Sequence, residues 1–434
     1  MLETPLIRDW KRRLVFWSGA ISVGLAAIFL AVAAEWANRL FHKLIAISPY
    51  LPLLATPLGL ALIVFSTRKV FPGSQGSGIP QTIVSLDPSS IVRVHLLSLR
   101  ITIGKIMLTV LGLLFGASVG REGPTVQIGA SIMHSLGRFA RFPKHDVEKG
   151  LILAGAAAGV AAAFNTPLAG IVFAIEEMSR SFEEHNSSTI LMTVIIAGIT
   201  SLALIGNYSY FGHTSETLAF GKQWDVVIAC GVAGGLLGGT FSRFLIEVNK
   251  GLAGNIGIWI KARPIAFAAV CGFILALIGL ASNNTSYGSG YSEAKTLLDG
   301  KSVLPESYGL FKMMATAVSY ISGIPGGVMA PTLSAGAGLG ANLAHLFTGV
   351  PAGATIILGM VAYFAGVTQA PITAFVIIME MTDNHEMLLP LMSAAFIANF
   401  CSKLICPAPL FHTMAANFIS KPSQTPKVEP EKPV

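Results

Sequence analysis

Glu122 lies in Gly120-Arg121-Glu122-Gly123-Pro124, between the apolar stretch 106–119 and the mostly apolar Thr125-Val126-Gln127-Ile128-Gly129. A carboxylate at membrane depth costs roughly 2.5–3.5 kcal/mol even on the gentler insertion scale, so by default it marks an ion path or a proton relay. Glycine permits close backbone approach and proline suits the first turn of a helix, which places Glu122 where a helix begins. Two more Gly-rich turns share the design: Gly76-Ser77-Gly78-Ile79-Pro80 and Gly326-Gly327-Val328-Met329-Ala330-Pro331. A helix N-terminus carries about half a positive charge and unpaired N–H groups, so it holds an anion without a cationic side chain. That suits transport, because a lysine ligand would bind an anion too tightly for release. Brought to one point, three such ends make an anion site with Glu122 beside it. Ionised, the carboxylate competes with a halide for the N–H groups; protonated, it swings away, and proton movement becomes coupled to anion movement. Two plainer readings stand against this one. The turns could serve close helix packing in lipid, and Glu122 could pair with Arg121, although adjacent helix residues do not face each other.

Other chemistry-bearing residues are less eloquent. Glu176 and Glu177 close an apolar run and, taken alone, read as a solvated helix terminus. The histidines, His412 among them, show no ligand spacing and receive no role. Cys230, Cys271, Cys401 and Cys406 lie in apolar surroundings without metal-type pairing and read as buried thiols. No metal and no cofactor is expected. A membrane-embedded enzyme using Glu122 with the Glu176/Glu177 pair is disfavoured, because no nucleophile, base and orienting group accompany them.

The elements that must hold these residues are membrane helices. Hydrophobic residues make up 53% of the chain and charged residues 12%, against roughly 25% charged in a soluble domain. The mean hydropathy is +0.67. Apolar runs recur at 14–34, 50–65, 106–120, 151–175, 188–206, 226–246, 265–281, 308–323, 354–380 and 387–405. Several fall short of the roughly 20 residues needed to span a bilayer. Short, Gly-rich or Pro-interrupted runs predict helices broken inside the membrane, tolerable where they line a cavity or pack in protein. Arg8, Lys11, Arg12 and Arg13 precede the first run, which reads as a retained helix with a cytoplasmic N-terminus. The net charge of +7 fits that bias without any nucleic-acid partner.

The chain also repeats itself. Pro167 to Glu176 matches Pro371 to Glu380, offset 204 residues; Gly120–Thr125 matches Gly327–Thr332, offset 207; Gly76-Ser77-Gly78 matches Gly288-Ser289-Gly290, offset 212. Three matches in one order predict a duplication whose halves share an ion site near the midplane. The expected organisation is a cytoplasmic segment 1–13, a first repeat 14–206, a polar join 207–225, a second repeat 226–419 and a disordered Pro- and charge-rich tail 420–434, with no soluble regulatory domain following. The halves differ in chemistry: Glu122 in the first corresponds to Met329 in the second.

These turns resemble the signature segments of the CLC family of chloride channels and chloride/proton exchangers. Gly76–Pro80 and Gly120–Pro124 match the first two family motifs, and Gly327–Pro331 resembles the third, with Met329 where Phe is usual. The resemblance, running from about residue 15 to 420, implies an all-α polytopic membrane protein in the CLC fold, with two inverted-topology repeats of broken and tilted helices. It implies a homodimer in a lipid bilayer, one pore per subunit, that exchanges chloride for protons across a prokaryotic plasma membrane. Residue by residue, it implies that Ser77 gives a hydroxyl to a central anion shared with the backbone N–H groups of Val328 and Met329. The N–H groups of Arg121, Gly123 and Ala330 would line an outer position that Glu122, the gate, can occupy. Glu177 matches the family's inner proton-transfer glutamate; channels of the family usually carry an apolar residue there, so an antiporter is favoured over a passive channel. The family's inner tyrosine falls on Phe411, which lacks the hydroxyl and leaves a poorly coupled channel as the alternative. The intact first motif disfavours fluoride, and Ser77 disfavours nitrate.

Overall fold

With no water in the hydrocarbon to satisfy backbone N–H and C=O groups, a chain of this composition must satisfy them within helices. A computed structural model describes residues 5–87, 93–139, 145–179, 184–206, 209–300 and 304–420 of the 434-residue chain. Among those residues there are nineteen α-helices and no strand, only two isolated backbone bridges. Helices long and apolar enough to cross a bilayer are Leu14–Ile47, Lys222–Lys250, Pro264–Ala281 and Leu388–Ile405, and shorter apolar helices are Ile190–Leu204, Ala352–Thr368 and Pro371–Thr382. The molecule is an all-α, multi-pass membrane protein.

The expected breaks inside apolar runs are present, and each has a local cause. The run 151–175 divides between helices His145–Phe164 and Pro167–Phe173, and the run 354–380 between Ala352–Thr368 and Pro371–Thr382. At each break a residue adopts the left-handed conformation, Asn165 (φ 56°) and Gln369 (φ 58°), two positions before the proline that starts the next helix. Proline pushes its predecessor out of the α region, so neither helix can run through.

Packing repeats with the same symmetry. Helix Glu122–Phe139 crosses His145–Phe164 where Gly129 and Gly155 face each other's carbonyl oxygens. Helix Met329–Ala344 crosses Ala352–Thr368 at Gly336 and Gly359, the positions 207 and 204 residues further on. A Cβ on Gly336 would come within 2.7 Å of the Gly359 oxygen. Such contacts need glycine, because in lipid helices associate through close backbone approach rather than hydrophobic expulsion. Helix Ala352–Thr368 is buried from Ala354 to Val367 and forms the centre of the core.

Two boundaries differ from the sequence reading. The N-terminal helix is continuous over Pro5–Ile47, 43 residues, and so takes in most of the segment set apart as 1–13. The run 106–120 overshoots its helix, which ends at Leu114; the residues from Phe115 to Arg121 carry the chain outside any helix to Glu122. The join, apart from residues 207–208 that lie outside those described, docks on the end of helix Pro371–Thr382 through Phe211 N–H to Met381 O (2.9 Å) and Thr214 N–H to Thr382 O (3.1 Å). The tail beyond Ser420 also lies outside the described residues.

Candidate functional site

The three Gly-rich turns meet. The Gly76 N–H donates to Ile324 O (3.1 Å) and the Gly326 N–H to Gly76 O (3.1 Å), while Gly120 and Gly327 exchange N–H···O bonds of 2.7 and 2.8 Å. This lacing holds together the starts of helices Ile79–Ser85, Glu122–Phe139 and Met329–Ala344, each with a proline in its first turn. Gly123 sits where the first two ends touch. A Cβ there would strike the Ser77 hydroxyl and lie 2.9 Å from the Ser77 carbonyl oxygen. The glycine is required by contact distance, and the contact brings Ser77 against the helix that begins at Glu122.

Glu122 is fully buried, and its Oε2 lies over Gly120. The carboxylate faces the backbone N–H groups of Arg121, Glu122 and Ala330, yet neither oxygen completes a hydrogen bond among the described residues. The Arg121 guanidinium is 4.0 Å away and leans over the Tyr210 ring, 6.0 Å from its centroid. Pairing with Arg121 is therefore loose, and the helix-end N–H groups are a second source of positive potential. An anionic group aimed at such N–H groups occupies ground that a small anion would also occupy.

The Ser77 hydroxyl is buried without a hydrogen-bond partner among the described residues. Val328, Met329 and Ala330 are buried at the third helix start. Phe411 is fully buried on helix Leu410–Ser420, which packs against helix Ile79–Ser85. The first-motif turn borders a cavity of about 290 Å³, lined by Ser77 and by Arg68, Lys250 and Lys261. A second cavity, of about 790 Å³, is lined by Arg121, Glu35, Arg39, His42, Lys43 and Ser289.

Glu177 belongs to a different element, the π-helical turn Ala174–Ser179 that continues helix Pro167–Phe173. π-turns recur at functional positions, and its counterpart, Pro371–Thr382, is α-helical throughout. Glu177 is buried, with Oε1 3.8 Å from His412 Nε2, and the same ring nitrogen lies 2.7 Å from the Glu177 carbonyl oxygen. Glu177 is thus not a solvated helix end. Nor is Glu176: its carboxylate accepts from the N–H groups of Ile372 (3.0 Å) and Thr373 (2.6 Å), while Glu380 accepts from Leu168 (3.1 Å) and Ala169 (2.7 Å). Each half caps a helix of the other, the favourable place for a carboxylate.

Sequence reading passed over Lys105 and Lys312. Both are fully buried, 207 residues apart, and each holds a Gly-Ser-Gly turn from behind. Lys105 Nζ donates to Gly76 O at 2.8 Å, and Lys312 Nζ to the carbonyls of Ser286, Tyr287 and Gly288 at 3.1, 3.1 and 2.8 Å. A lone lysine, just before the run 106–120 and inside the run 308–323, was the available signal. His412 left no signal beyond its place next to Phe411.

A slow cyanobacterial Cl−/H+ antiporter superposes with a TM-score of 0.79 at 24% identity, covering 94% of this chain and 99% of that one. A CLC-type fluoride/proton antiporter gives 0.76 at 23%, covering 92% and 96%, and a eukaryotic CLC transporter 0.75 at 20%, covering 94% and 74%. At these identities the likeness establishes the CLC fold. The family model for the voltage gated chloride channel matches residues 58–403, most of the chain and all three laced turns, and the protein belongs to that family.

Proposed function

We propose that the protein is a chloride/proton antiporter in which Glu122 is the outer gate and proton carrier and Glu177 the inner proton-transfer group. The observation that carries the reading is the Glu122 carboxylate, buried and turned toward N–H groups at helix starts with which it makes no completed bond. A carboxylate so placed is exchangeable: chloride can displace it, and protonation releases it. The anion would be held centrally by the Ser77 hydroxyl and the Val328 and Met329 N–H groups, and outside by those of Arg121, Gly123 and Ala330. Both neighbours whose substrates are stated exchange an anion for protons, and a buried acid at 177 supports proton transfer from inside. Chloride over fluoride rests on the intact Gly76–Pro80 turn.

The same reading includes a homodimer with one pore per subunit in a prokaryotic plasma membrane, and repeats 14–206 and 226–419 joined by 207–225. The second reading, a weakly coupled channel, is favoured by one observation, the missing hydroxyl at Phe411. Reversal potentials in liposomes under opposed chloride and proton gradients decide between them. An antiporter reverses at a potential that moves with the pH gradient. Reversal at the chloride equilibrium potential, whatever the pH gradient, would establish the channel instead.

A further inference from the structure

On the resemblance, Phe411 removes a donor from the central anion position, but a half-buried phenolic hydroxyl borders the cavity that Ser77 lines. Tyr320, in the last turn of helix Tyr308–Ile321, lines the 290 Å³ cavity together with Gly76, Ser77 and Met414. Its hydroxyl donates to the Met414 sulfur at 2.9 Å. Met414 stands one helical turn beyond Phe411 on Leu410–Ser420. A Cβ built on Gly76 would lie 3.6 Å from that hydroxyl, and the Ser77 N–H is within reach of its oxygen. The phenol therefore stands beside the turn that carries the Ser77 hydroxyl.

The present bond of Tyr320 is a weak one. A thioether is a poor acceptor, so the O–H loses little by turning to an anion. Hydrogen bonds to charged groups are about twice as strong as neutral ones, so the anion is the better partner by a wide margin. The surroundings favour that exchange. Among the described residues, the charged side chains lining the cavity are Arg68, Lys250 and Lys261, all cationic. Ser77, the neighbouring hydroxyl, has no hydrogen-bond partner among the described residues. Two hydroxyls, a buried one without a partner among the described residues and a half-buried one on a sulfur, share an electropositive cavity.

We infer that Tyr320 supplies the phenolic donor to the central anion in place of the residue at 411. The inference rests on the chloride reading above. It moves the donor from the C-terminal helix to the helix that leads into the third turn, so the central position keeps two hydroxyls despite Phe411. A purely packing role, with the hydroxyl satisfied by Met414 alone, is the alternative.

Chloride binding by calorimetry and proton uptake driven by a chloride gradient test it on the full-length protein, as wild type, Ser77→Ala, Tyr320→Phe and Tyr320→Phe/Phe411→Tyr. Loss of one hydroxyl donor to an anion is expected to weaken chloride binding about tenfold or more in Tyr320→Phe and to lower the protons moved per chloride. The double variant, with its hydroxyl returned at 411, is expected to recover both. Wild-type binding in Tyr320→Phe with weakened binding in Ser77→Ala would overturn the role of Tyr320 and leave the chloride site standing. Wild-type binding in both would overturn the chloride site itself. Should Tyr320→Phe fail to fold, Met414→Leu removes the sulfur partner and keeps the phenol. Equal or tighter chloride binding is then expected, and weaker binding would mean that the hydroxyl serves the sulfur.

Discussion

On the antiporter reading, a buried carboxylate and an anion want the same N–H groups and cannot both have them, and this competition at Glu122 would set a pH dependence. Protonation removes the carboxylate's claim, so chloride should bind more tightly as pH falls. By reciprocity, chloride binding should take up protons from solution by the same coupling. Glu122→Gln should bind chloride tightly at every pH, take up no protons on binding and transport chloride without proton coupling; calorimetry in buffers of different ionisation enthalpy reads all but the last. A Gln variant whose affinity still followed pH would place the titrating group elsewhere. Glu177→Gln should stop proton movement while leaving chloride flux, which paired pH- and chloride-electrode records distinguish. Gly123 makes a steric prediction at the same scale. Its Cβ would meet the Ser77 hydroxyl and carbonyl, so Gly123→Ala should cost about 1–3 kcal/mol of stability by overpacking and displace Ser77. A lowered melting temperature in detergent with lost chloride binding is expected; unchanged values for both would show that the two helix starts have room to part.

At the scale of elements, the halves are fastened by reciprocal carboxylates. Glu176 caps helix Pro371–Thr382, and Glu380 caps helix Pro167–Phe173. Removing a helix cap costs about 1 kcal/mol, so Glu380→Ala should lower thermal stability, and Glu176→Ala by a similar amount. Chloride affinity should be unchanged, since neither touches the laced turns. A loss of binding with intact stability in either variant would contradict a fastening role. This pair also marks where sequence reading reached its limit. Helix starts were legible at Glu122 and Met329 because Gly and Pro act locally, through φ and a missing N–H. The breaks at Pro167 and Pro371 were legible for the same reason. Glu176 was misread because its partners, Ile372 and Thr373, lie nearly 200 residues away, and hydropathy registers a charge without its acceptor or donor. Apolarity likewise could not separate helix Leu99–Leu114 from the non-helical residues that follow, since both are apolar. Helix Ile79–Ser85, at 7 residues, is too short to show a period. Tyr320 and His412 stayed silent because their meaning lies wholly in which distant helix faces them.

At the scale of the whole molecule, a symmetric scaffold carries asymmetric chemistry. The repeat maps Ser77 onto Ser289. Ser77 lines the smaller cavity and Ser289 the larger, so the two cavities are counterparts, each lined by residues of both halves. On the antiporter reading they are the two mouths of one path, with Glu122 present in one half only and so able to gate one side. Both mouths are electropositive. Arg68, Lys250 and Lys261 line one, and Arg39, Lys43 and Arg121, set against the single acid Glu35, line the other. A cleft of one charge sign concentrates the opposite ion and speeds its entry, an effect that salt removes as the Debye length shrinks to about 10 Å at 0.1 M. Lys261→Glu and Lys43→Glu should therefore each slow chloride uptake at low ionic strength, and most of the difference should vanish at high ionic strength set with an impermeant salt. The proton-to-chloride ratio should stay as in wild type, because steering acts before the anion meets Glu122. Flux assays on oriented liposomes, with the salt varied on one side at a time, also assign each lysine to its face. A slowing that persists undiminished at high salt, or a changed ratio, would mean that these lysines act within the site, and the two cavities would then have to be read as part of the binding machinery.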